Sequence, residues 1–97
     1  MLGFALALIA ASPEPGVLPP GNETCARAMQ PDFRARAFDY VMGAWTGMNM
    51  ASNKQVGKNV DIHLILKDVA MACVEDPKLL LAHAVLGVHM RYERQGR

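Results

Sequence analysis

Phe33, Ala37, Val41, Trp45 and Met48 recur about every four residues, and only a helix puts such a series on one face. Phe38, Met42 and Ala44 lie alongside the stripe, while Arg34, Arg36 and Asp39 fall mainly off it. The same spacing returns twice. Ile62, Ile65, Leu66, Val69 and Cys73 form one apolar face, and Leu80, Ala84 and Val88 with Leu81, Val85 and Tyr92 form another. β-signals are few and no internal repeat is visible. The pattern predicts an all-α chain whose helices must cover one another's apolar stripes.

The punctuation divides the chain further. Thr24 is placed to cap a short helix running to about Met29, with Cys25 in its first turn. Pro31-Asp32 suits the start of the second helix, because proline tolerates a first helical position and aspartate complements the helix dipole. From about Asn53 to Asn59 the chain reads as a polar surface loop. Asp61 caps a third helix to about Val74, and Asp76, followed by Pro77, is expected to cap a fourth. The expectation is a small four-helix single domain over residues 23–97.

Two segments precede it. Residues 1–12 read MLGFALALIAAS, an uncharged apolar run too short to span a bilayer and suited to the apolar centre and small-residue end of a secretory signal. The competing reading is a buried N-terminal helix. Residues 13–22, with Pro13, Pro15 and Pro19-Pro20-Gly21, read as a Pro-rich extended linker. Export would place the mature chain, without a membrane span, in an oxidising periplasmic compartment. There Cys25 and Cys73, the two cysteines, are expected to bridge. A cytosolic chain would instead carry two buried thiols.

Composition narrows the function classes. Ten Lys and Arg stand against nine Asp and Glu, for a net charge of +1. No basic surplus points to nucleic acid, and one Trp, two Tyr and three Phe make no stacking platform for single strands. No phosphate loop is present, and no cofactor is expected. No metal site is expected either: two isolated cysteines lack paired ligand spacing, and His83 and His89 are too far apart on one helix for a tight two-ligand site. His63, His83 and His89 read as solvated or core-edge side chains. Ser52 has no His or acid near it in sequence, and oxidised cysteines offer no nucleophile, so the reading is of a protein that is not an enzyme.

Thr24-Cys25, the helix ending in Trp45-Thr46-Gly47-Met48-Asn49, Ala72-Cys73 and Asp76-Pro77 together resemble the small periplasmic proteins related to the HdeA/HdeB acid-stress chaperones. The resemblance covers about Glu23 to Val88. It implies a signal peptide, a four-helix domain with one disulfide between Cys25 and Cys73, dimers at neutral pH, and ATP-independent binding of unfolded client proteins in acid. It singles out Trp45, Gly47 and Asn49 as a core or interface motif: Trp45 as a core side chain or the anchor of a homodimer, Gly47 as a close-packed or helix-ending glycine. In strong acid the carboxylates neutralise and three histidines join ten Lys and Arg, so net charge climbs to roughly +13. Methionines 42, 48, 50, 71 and 90 then serve either as adaptable contacts for clients or as core filler. A second resemblance, carried by Tyr40 to Gly47, is to helical, disulfide-bonded immunity proteins that neutralise secreted amidases. It implies an inhibitor of one specific partner, with the basic Lys54 to Asn59 loop reaching into an acidic cleft.

Overall fold

The computed structural model describes residues 16–97; the signal-peptide reading of residues 1–12 and the first part of the linker lie outside the described residues. Within them the protein is a small all-α domain closed by one disulfide. Its helices are α1 (Cys25–Ala28), α2 (Arg34–Ser52), α3 (Ile62–Glu75) and α4 (Leu81–Arg94). None of these helices is long and apolar enough to cross a membrane.

α4 is the centre of the domain and packs against α1, α2 and α3. Its buried residues are Leu81, Ala84, Val85, Val88, His89 and Tyr92, a broad stripe that serves two neighbours at once. The flanking helices need only one buried residue per turn. α2 uses Ala37, Val41 and Trp45, and α3 uses Ile65, Val69 and Cys73. Burial of each aliphatic side chain in these stripes contributes on the order of 1.5–3 kcal/mol.

Two caps form as the residue types require. Thr24 accepts from the Arg27 N–H at 3.2 Å, and Asp61 accepts from the His63 N–H at 2.8 Å. Asn53 ends α2 in the left-handed region at φ 55°, which asparagine tolerates better than most residues.

Three expectations need correction. Asp76-Pro77 does not open the fourth helix, which begins at Leu81. The intervening residues run alongside the segment leading into α1. Cys25 N–H donates to the Leu79 carbonyl at 2.7 Å, Ala26 N–H to Pro77 at 2.9 Å, and Leu81 N–H to Glu23 at 2.9 Å. A chain engaged in this pairing cannot also wind into a helix, so tertiary hydrogen bonding overrides a good local signal. Nor does Pro31-Asp32 start α2. That pair lies in the turn before it, and Asp32 is drawn to Arg27 at 3.2 Å. Ile62 and Met42, placed on or beside apolar stripes, are exposed.

The end of the linker is built into the domain. Gly21 is buried, its carbonyl accepts from the Ala82 N–H at 3.0 Å, and a Cβ there would lie 2.3 Å from the Tyr40 hydroxyl oxygen. Any other residue here would require the half-buried Tyr40 ring to move aside.

The Cys25–Cys73 disulfide joins the first residue of α1 to the last turn of α3, with Cα atoms 4.8 Å apart and a sequence separation of 48. Both residues are buried. In the chain-entropy model a loop of this size restricts the unfolded chain enough to stabilise the fold by about 4 kcal/mol. Replacing both cysteines by alanine is expected to remove most of that, seen as a lower urea midpoint than the oxidised parent. An unchanged midpoint would show that the cross-link contributes nothing to stability.

Candidate functional site

The residues singled out around Trp45 converge on the seam between α2 and α4. Trp45 is 5% exposed and its Nε1–H donates to the Val56 carbonyl at 2.8 Å. Asn49, one turn on, donates its Nδ2–H to the same oxygen at 3.0 Å. Two donors on one carbonyl fasten the polar loop after α2 to the helix that precedes it. Trp45 therefore serves the core, with its polar tip satisfied inside the chain.

The opposite side of Asn49 faces α4. Its Oδ1 lies 2.9 Å from the His89 Nε2. Because Asn49 Nδ2 is committed to Val56, Oδ1 is the acceptor and His89 Nε2 the donor. The His89 ring sits edge-on to Trp45 with centroids 4.7 Å apart, and Tyr92 meets Trp45 in the same manner at 5.3 Å. His89 is 4% exposed and, beside the aromatic Trp45 and Tyr92, is the one buried residue with a polar side chain among the described residues. Burial pushes its imidazole below the ordinary histidine value, Glu93 pulls it partly back, and Lys54 pushes it down again.

Tyr92 extends the network to α3. Its hydroxyl donates to Asp68 at 2.5 Å, and Asp68 also pairs with Arg91 at 3.3 Å. Burial first, then the hydrogen bond and charge of Asp68, push the Tyr92 phenol up to about 12. Arg97 lies over the Tyr92 ring at 4.6 Å, and its carbonyl accepts from the Gly57 N–H at 3.1 Å. At the rim, Lys54 pairs with Glu93, whose exposed carboxyl is held below its usual range by that partner.

Above the seam lies a groove of about 310 Å³ lined by Met48, Ala51, Leu86, Met90 and His89, with Ser52 and Glu93 at its polar end. Met42, Met50, Met71 and Met90 are exposed, so these four are not core filler, whereas Met48 is half-buried and packs against the core. On the far side of the loop an open concavity of about 690 Å³ is bordered by Thr46, Asn49, Asn53, Lys54, Gln55 and Lys58.

Gly47 does not join this site. It lies in mid-helix on the exposed side of α2 with nothing within 4 Å of where a Cβ would be, so it is neither close-packed nor helix-ending. The glycine that matters is Gly57, buried at φ +84° with Trp45 Nε1 and Ile65 Cδ1 each 3.1 Å from its Cβ position. Sequence offered Gly57 only as a loop residue. His89 appeared there as a solvated or core-edge histidine, with no sign of its partner 40 positions away. Among the described residues no group of His, Cys, Asp and Glu is gathered to hold a metal ion.

These surroundings predict opposite outcomes for two Gly→Ala changes. Gly57→Ala is expected to cost about 1–3 kcal/mol through backbone strain and crowding of Trp45. Gly47→Ala is expected to stabilise by up to about 1 kcal/mol, as alanine replaces glycine in an exposed helix. Urea midpoints of the two variants check both, and equal effects would refute the assignment. In comparisons with known proteins, no family model, no curated protein and no solved structure matches this chain.

Proposed function

We propose that this is an exported, periplasmic, non-enzymatic protein of the HdeA-like kind, which opens in acid and holds unfolded client proteins without ATP. The observation that carries the reading is the placement of apolar side chains along a seam that acid can weaken. Met48, Leu86 and Met90 already line a groove at the surface. Directly beneath it, α2 meets α4 through Trp45, Asn49 and His89. Flexible thioether side chains suit clients of varied shape.

Acid acts on this seam in two ways. Carboxylates neutralise while the cationic side chains remain, and self-repulsion grows on a small domain. The Lys54–Glu93 pair is also lost as pH falls through the depressed Glu93 value, releasing the loop from α4. Opening would uncover Val41, Trp45, Val85 and Val88, all buried at neutral pH. The Cys25–Cys73 bond would meanwhile keep α1 attached to α3, limiting expansion and favouring return. Support for a binding role over catalysis comes from the two oxidised cysteines and from Ser52, whose hydroxyl donates to the Met48 carbonyl at 2.8 Å. A homodimer at neutral pH belongs to the same proposal.

The concavity beside Lys54 and Lys58 favours a second reading, a periplasmic inhibitor whose basic rim fits an acidic cleft on one secreted enzyme. The two readings separate in a single assay. Oxidised protein is mixed with an aggregation-prone client at about pH 2–3, with the Cys25→Ala/Cys73→Ala variant in parallel. The chaperone reading expects suppression of light scattering by the parent and weaker suppression by the variant. No suppression by protein that is folded at neutral pH would sink it.

A further inference from the structure

We propose that His89 is a proton-operated latch on the α2–α4 seam, closed while its ring is neutral and released when the ring gains a second proton. The proposal rests on where the hydrogens must be. Trp45 Nε1 and Asn49 Nδ2 both donate to the Val56 carbonyl, so Asn49 can offer only Oδ1 to α4. His89 answers with Nε2–H at 2.9 Å. An incoming proton can therefore be taken only at Nδ1, and the result is a full positive charge on a ring that is 4% exposed.

Among the described residues, no free carboxylate is placed opposite the ring to neutralise that charge. α2 presents Trp45, Met48, Asn49 and Ser52, none of them ionised. On α4 itself Glu93 lies one turn on, but it is already engaged by Lys54, whose own charge opposes the imidazolium. From α3 the acidic side chain at the seam is Asp68, which is taken by Tyr92 and Arg91. Arg27, the charged residue of α1, is bound to Asp32 and Gln30. Burial thus outweighs the help available from Glu93, in keeping with the lowered imidazole value.

The sign follows from linkage. Below the ordinary histidine value of about 6.5 the unfolded or opened chain binds this proton more readily than the closed one. The stability associated with a neutral His89 is complete above that value and is lost as pH falls through the depressed folded value. The proton also has a route, since His89 lines the groove that Met48 and Met90 border. The Nε2–H bond to Asn49 survives the proton, so what parts the seam is the cost of keeping a charged ring buried; opening to solvate it separates His89 from Asn49 and loosens the hold on the Trp45 indole. The latch begins to respond as pH falls below the ordinary histidine value, which sets it apart from groups that titrate only as carboxylates. It deepens the proposed acid opening but stands on the seam's geometry, so client protection at about pH 2–3 succeeds or fails independently of it.

The test compares oxidised parent, His89→Gln, His63→Gln and His83→Gln. Glutamine keeps an N–H donor for Asn49 and takes up no proton. Urea midpoints are measured at about pH 7.5 and about pH 5. The parent, His63→Gln and His83→Gln are expected to lose midpoint on acidification, and His89→Gln to lose clearly less. A loss in His89→Gln as large as the parent's would overturn the latch. Should His89→Gln not fold, the parent alone decides the matter by NMR. The His89 ring is expected to titrate below an ordinary histidine, and the Trp45 indole N–H to lose protection from exchange over the same pH range. A ring titrating at or above the ordinary value, or an indole proton indifferent to it, would overturn the proposal equally.

Discussion

The Cys25–Cys73 bond decides which parts of this domain can separate. It ties α1 to the end of α3 at a point where the chain is also held by backbone hydrogen bonds, from Cys25 and Ala26 to Leu79 and Pro77. That corner is covalent, buried and satisfied. At the other end α2 and α4 meet through side chains, with the backbone bond from Gly57 to Arg97 beside them.

At that other end the physics is of polar groups in a low-dielectric setting. One carbonyl, Val56, accepts from both Trp45 and Asn49, and one amide, Asn49, spans from that carbonyl to His89. Such an arrangement is strong while every donor has an acceptor and costly once a partner changes its charge or turns away. Tyr92, Asp68 and Arg91 carry the network onto α3, so α4 is held on both sides by contacts that mix apolar burial with specific hydrogen bonds. Gly57 makes the seam compact, since any side chain at that position would push on the indole it must lie against.

The groove over this seam is lined by two methionines, Met48 and Met90. A rigid aliphatic patch would suit one shape. Thioether chains adapt to many, and their place above a seam held by side chains links the proposed client surface to the part of the fold best able to open. The same neighbourhood carries the basic rim of Lys54 and Lys58, which is why a specific partner remains the competing occupant of this end of the molecule.

Much of this was legible in the sequence because helices announce themselves locally. The four-residue recurrence from Phe33 to Trp45, the Thr24 and Asp61 caps and the helix end at Asn53 each depend on residues within a turn or two. Asp76-Pro77 carried an equally good local signal, yet its chain was claimed by the segment before α1, a competition between positions some 50 residues apart that no local pattern records. His89 and Asn49 are ordinary residues on two helices until packing sets them 2.9 Å apart. By itself the sequence determined the helical class, the approximate helix boundaries and the two cysteines available to cross-link. Only the tertiary structure decided that Trp45 belongs to the core, that Gly57 rather than Gly47 is sterically required, and that one histidine is buried against an amide, because burial and hydrogen-bond partnership are properties of which surfaces meet.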